Sequence, residues 1–204
     1  LIENFLPEKN FSKVQAEFSK IFDDEKRARN TYKDSPDQRN SSIDYYLYEF
    51  KDNIFNSHNY PNLYQVLKNK KINDFFKFAE KKKKIHLFMR LERVITKDRL
   101  KNDDNAHWHV DTYHNTHKGW IYLTDVKKKN GPYNYIEESN KFSFERLFWE
   151  YSNSIKIGFY KNYLPFFFIA KDSKKFENKK LEVICNKNSF MISNTHGCHR
   201  RGDS

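Results

Sequence analysis

Near residue 85 the spacing of apolar residues changes, and that change limits the folds open to this chain. Before it, apolar residues recur every three or four positions. Val14, Phe18, Ile21 and Phe22 form one stripe of a helix entered at Asn10-Phe11-Ser12. Ser41-Ser42 is placed to cap a second helix carrying Ile43, Leu47, Phe50 and Ile54. Asn59-Tyr60-Pro61-Asn62 breaks the pattern, and a third helix carries Leu63, Val66, Leu67 and, after a gap, Phe75, Phe76 and Ala79. After it, the pattern favours strands. Ile85 to Ile95 alternates in part, and Ala106–Thr112 and Gly119–Val126 read as strands. Asn130-Gly131 is a hairpin signal ahead of Tyr133–Ile136. Ser143 to Tyr151 reads as a short helix, and Glu182–Cys185 and Phe190–Ser193 as a strand pair around Asn186-Lys187-Asn188. Helices first and antiparallel strands after predict a mainly β fold with N-terminal helices, a sandwich or jelly roll.

The 204 residues suffice for one domain, with residues 1–84 as a mostly helical buttress and 85–204 as the β-core. Aromatic residues supply the core volume, with 19 Phe and 13 Tyr, each ring burying a large area. The net charge of +11 comes partly from local runs, Lys81–Lys84 and Lys127–Lys129. A basic balance suits nucleic acid, anionic lipid surfaces or anionic small molecules as partners, and solvated lysine in a Lys/Asn-rich chain accounts for it equally. The lysine runs are scattered and the aromatics read as core, which argues against a nucleic-acid interface. Two cysteines, Cys185 and Cys198, fit no disulfide framework or zinc spacing and point to a reducing cytoplasm. No apolar run approaches the length of a membrane span, and the first residues lack a signal-peptide pattern.

The chemistry concentrates in His107-Trp108-His109-Val110-Asp111. On an extended strand His109 and Asp111 share one face. An imidazole and a carboxylate so placed can grip one cation, and a second imidazole would complete a 2-His-1-carboxylate face, an arrangement suited to non-haem Fe(II). The closing segment Ser189-Phe190-Met191-Ile192-Ser193-Asn194-Thr195-His196-Gly197-Cys198-His199 offers His199, with His196 as its rival. His107 shares the predicted face as a partly exposed structural histidine. His114 and His117 read as loop histidines, His58 and His86 as structural, and Trp108 as core.

Four stretches in order carry a resemblance: Trp108-His109-Val110-Asp111; Lys118 to Val126; Asn130-Gly131-Pro132-Tyr133-Asn134-Tyr135-Ile136; and Asn194 to Gly202. The chain resembles the phytanoyl-CoA dioxygenase-like family of Fe(II)- and 2-oxoglutarate-dependent oxygenases over roughly residues 85–204. The resemblance implies a double-stranded β-helix (cupin-like) core and a metal held by His109, Asp111 and His199. It implies Fe(II), 2-oxoglutarate and O2 as cofactor and co-substrates, with a small organic substrate, anionic in keeping with the charge. A carboxylate ligand leaves no place for halide, so hydroxylation or desaturation is expected rather than halogenation.

Two departures stand out. The family's Pro-Gly-Ser-His is replaced by Glu137-Glu138-Ser139-Asn140. The Arg that in the family holds the distal carboxylate of 2-oxoglutarate, about ten residues after the second His, is expected beyond Ser204. Failing that, Lys118 or Arg200 takes its place, with Tyr122 or Thr124 as hydrogen-bond donors to the co-substrate. The competing readings are a binding module that has lost catalysis and a basic nucleic-acid-binding protein.

Overall fold

The computed structural model describes residues 1–23, 43–49, 57–96, 106–159 and 179–202. The chain divides into two compact units. One holds Ile2–Asn102 with Lys187–Ser189, the other Leu1, Asp103–Asn186 and Phe190–Ser204. The division falls later than the residue-85 boundary because the strand after it pairs backwards in the chain.

In the first unit, α1 (Glu8–Asp23) buries Phe11, Val14 and Ile21 on one stripe. The predicted third helix is two, α2 (Pro61–Leu67) and α3 (Lys70–Glu80). Asn69 separates them, its side chain accepting the N–H of Ile72 as an N-cap. Glu17 of α1 supplies what the start of α2 lacks. Its carboxylate accepts the backbone N–H groups of Asn62 and Leu63 and the amide of Asn62, a favourable charge at a helix N-terminus. Asn188 docks the N-terminal segment: its side chain accepts from Leu6 N at 3.0 Å and donates to Leu6 O at 2.8 Å.

The helix expected over residues 43–54 is instead a strand, β1 (Ile43–Glu49), antiparallel to β2 (Arg90–Thr96), with Ile43 opposite Thr96 and Glu49 opposite Arg90. The spacing of Ile43 and Leu47 mimics a helix. The run Ile-Asp-Tyr-Tyr-Leu-Tyr, however, is rich in residues that suit a pleated surface, and pairing with β2 decides the outcome. Residues 50–54 of that expectation lie outside the described residues.

In the second unit the strands are β3 (His117–Tyr122), β4 (Tyr133–Ile136), β5 (Lys180–Val183), β6 (Ser189–Asn194) and β7 (His199–Arg201). β3 pairs with β6, and β4 lies between β5 and β7. Several expectations change here. β5 and β6 are not partners of each other. Asn130-Gly131 makes no hairpin; a short 3-10 turn at Lys128–Asn130 ends on Gly131 at φ 66 and leads from one sheet to the other. Among the described residues the strands form separate sheets rather than a closed barrel. The predicted strand over 106–112 is irregular, held by a single bridge between His109 and His199.

The helix after Ser143 runs further than expected, as α4 (Phe144–Phe159). The Ser143 hydroxyl accepts the N–H of Arg146 and starts it. Trp149 of α4 packs on a buried cluster of Trp108, Val110, Ile136 and Cys198. These alternate with His109, Asp111, Tyr135 and His199, so one face of the sheet rests on α4 and the other is left for chemistry. No helix among the described residues is long and apolar enough to cross a membrane.

Candidate metal centre

His109 and His199 are joined through their main chains. Each donates its N–H to the other's carbonyl, both at 2.9 Å. Their rings lie 4.4 Å apart between centroids. The irregular segment continues with Asp111 N donating to Thr195 O at 3.0 Å and Thr195 N donating to Thr116 O at 2.7 Å. Local backbone pairing, rather than a regular strand, therefore brings Asp111 beside the two imidazoles.

The carboxylate oxygen Oδ1 of Asp111 lies 3.9 Å from His109 Nε2 and 3.6 Å from His199 Nε2. One ligand atom from each of the three residues falls within 4.8 Å of the others, with both histidines buried. The second nitrogen of each ring is committed elsewhere. His109 Nδ1–H donates to His107 O at 2.7 Å, and His199 Nδ1–H to Gly197 O at 2.9 Å. In the neutral ring this leaves the Nε2 lone pair of each pointing at the carboxylate. Lone pairs converging on an anion is an arrangement that a cation completes, and main-chain acceptors on Nδ1 are the usual outer support of metal-bound histidine.

The electrostatics agree. Burial pushes the His109 imidazole down to about 4, with His199 adding to the effect, so His109 is neutral and ready to bind a metal. Burial alone would raise the Asp111 carboxyl. The adjoining His199 ring and the charge of Lys118 outweigh it and hold Asp111 well below the ordinary carboxylate range. Lys118 Nζ lies 2.7 Å from Asp111 Oδ2, a charge pair without hydrogen-bond alignment.

Of the other residues named from sequence, Lys118 and Tyr122 share one face of β3. Tyr122 is half-buried, its hydroxyl 4.0 Å from Met191 Sδ. Thr124 is exposed in a bend beyond the end of β3, because that strand stops at Tyr122. Arg200 is also not brought to the site. It neighbours His199 on β7 and so points to the opposite face, where its guanidinium stacks on Trp108 at 4.9 Å. His107 is exposed and contributes its carbonyl rather than its ring. His114 is exposed, and its carbonyl accepts from Thr112. His117 opens β3 half-buried. His196 turns to α4, its Nε2–H donating to Glu150 at 2.8 Å.

Tyr133 was missed from sequence. Its ring stacks on His199 at 5.4 Å and meets Trp120 at 5.1 Å, and its hydroxyl pairs with Ser193. The alternation of Tyr133 and Tyr135 opposite the second histidine strand was the available signal. Ser139, inside the departing Glu-Glu-Ser-Asn stretch, accepts the N–H of Cys198 at 2.7 Å. Glu138 beside it adopts φ 62, where the family pattern has glycine.

The sequence matches the phytanoyl-CoA dioxygenase (PhyH) family over residues 1–164. The chain belongs to that family. The match takes in the first 84 residues, in which no motif is legible, and ends before His199. The family's cofactor set is Fe(II), 2-oxoglutarate and O2. Among solved structures, the chain is similar to HygX from Streptomyces hygroscopicus, crystallised with nickel, 2-oxoglutarate and hygromycin B. The two are 11% identical, with a TM-score of 0.52 over all of this chain and 76% of HygX. No curated protein matches by sequence.

Proposed function

We propose that this chain is an Fe(II)- and 2-oxoglutarate-dependent dioxygenase that hydroxylates a small organic substrate. The observation that carries the reading is the convergence of His109 Nε2, Asp111 Oδ1 and His199 Nε2, with both Nδ1 atoms tied to main-chain carbonyls. In this reading those three side chains hold the metal. When bound, iron with 2-oxoglutarate and O2 supplies oxidative decarboxylation to succinate and CO2 coupled to hydroxylation.

The protein's part is preorganisation. The carbonyls of His107 and Gly197 fix the ring tautomers. Lys118 draws Oδ2 of Asp111 aside, which leaves Oδ1 toward the imidazoles. Trp120 and Tyr133 wall the His199 side with ring surface. Of the two cations named as substitutes for the co-substrate carboxylate, Lys118 is the one that stands beside the site, with Tyr122 on the same face of β3. Thr124 and Arg200 have no part in it. The chain's net charge of +11 supports an anionic substrate.

We read residues 1–204 as one oxygenase domain on a double-stranded β-helix. The family match, running from the first unit into the second, supports this. Cys185 and Cys198 as buried thiols support a cytoplasmic location. The test is succinate formation from 2-oxoglutarate with added Fe(II). It is expected in the wild type and lost in His109→Ala and Asp111→Ala; undiminished turnover in either variant refutes the ligand assignment.

A further inference from the structure

We propose that Arg146 and Glu150 of α4 are positioning residues for His199, acting through the turn that precedes it. The proposal rests on His199 being a metal ligand, as read above. The Arg146 guanidinium makes hydrogen bonds in three directions. Nε donates to Glu150 Oε1 at 2.6 Å, one terminal nitrogen to Ser139 O at 3.2 Å, and the other to His196 O at 2.8 Å. Its plane lies 4.9 Å above the Trp149 ring. Glu150 Oε1 also accepts the Nε2–H of His196 at 2.8 Å.

Only 13% of the Arg146 side chain and 17% of Glu150 are exposed. A charge pair this deep costs desolvation unless its hydrogen bonds are filled. Here they are filled by the turn from Asn194 to Cys198 and by its neighbour Ser139. Arg146 and Glu150 hold that turn by the carbonyl and ring of His196. Ser139, itself bound through its carbonyl to Arg146, holds it by the N–H of Cys198. Between those two residues sits Gly197, whose carbonyl receives Nδ1–H of His199. The direction of that carbonyl sets the tilt of the His199 ring, and so where Nε2 points. Arg146 and Glu150, four residues apart on one helical face, thereby act on the metal ligand from the far side of the sheet.

The experiment uses Co(II) alone as probe, titrated into the full chain well below its melting transition. Arg146→Met and Glu150→Gln are expected to weaken Co(II) binding about 10-fold, in the range typical of outer-shell partners. The visible d–d bands of bound Co(II) should shift as well, with circular dichroism unchanged. Arg146→Lys keeps the charge but not the three-way fork, so it should recover only part of the affinity. Folded variants with wild-type Co(II) affinity and spectrum overturn the proposal, since a merely structural pair would lower the melting temperature and leave both unmoved. Should Arg146→Met fail to fold, Glu150→Gln, nearly identical in shape, decides alone. Wild-type protein that takes up no Co(II), or His199→Ala that binds it normally, instead overturns the metal-site reading, and this proposal falls with it.

Discussion

Gly197→Ala probes the site through one added methyl group. A Cβ built there would stand 2.0 Å from the Tyr135 hydroxyl oxygen, 2.4 Å from Cζ and 2.6 Å from Cε2. Non-bonded carbons rest at about 3.5–4.0 Å, so the ring would have to retreat by roughly 1 Å or more. Tyr135 has little freedom to do so, because its strand is paired opposite His199. Glycine is required here for space; its φ is not in the left-handed region. Overpacking of this kind costs about 1–3 kcal/mol, and in a chain of this size each kcal/mol lowers the melting temperature by about 2–4 °C. A fall of about 2–12 °C is therefore expected in a thermal melt. Co(II) affinity should drop too, because the displaced carbonyl is the one that holds His199. The double variant Gly197→Ala/Tyr135→Ala opens room for the methyl. Its loss should be smaller than the sum of the single losses by about 1 kcal/mol. Wild-type stability in Gly197→Ala, or strict additivity in the double variant, would refute the reasoning.

Asn188, at φ 62, makes two side-chain hydrogen bonds to buried Leu6; Asn188→Ala should cost about 2–4 kcal/mol in urea unfolding, and Asn188→Gly less, because glycine removes only the hydrogen bonds and not the backbone fit. Lys118→Met should raise the Kd for 2-oxoglutarate at least about 10-fold by calorimetry with Ni(II) in the site, the loss of one charge-assisted contact; unchanged binding removes Lys118 from the co-substrate. Burial pushes the Cys198 thiol up to about 12, so iodoacetamide at pH 8 should label it only after unfolding, as mass spectrometry can read. Burial likewise raises the Tyr133 hydroxyl above its ordinary value, against the opposing bond to Ser193. Its proton is held more tightly in the folded state, so the stability it contributes is present below about pH 10 and declines as pH rises beyond.

How much of this was legible depended on whether the deciding interaction was local. His109, Asp111 and His199 lie in short ordered motifs, and the structure brings their side chains together. A regular strand is not what aligns them; main-chain pairing of residues 109–116 with 195–199 does. Residues 43–49 show the opposite failure. Their spacing fitted a helix, and only the partner strand at 90–96, far away in sequence, made them extended. Arg200 has the charge to meet a carboxylate and follows His199 in the chain. Alternation along β7 sends it to the outer face, and sequence position without register does not reveal that. The Arg146–Glu150–His196 network joins α4 to a turn 50 residues on, and no local pattern signals it.

The reciprocal main-chain pair between His109 and His199 ties two distant parts of the chain together at the backbone. An ion held by both imidazoles and by Asp111 would add a second tie at the same place. Deuterium exchange at these two amides should then slow when Co(II) is bound and return to its former rate on chelation.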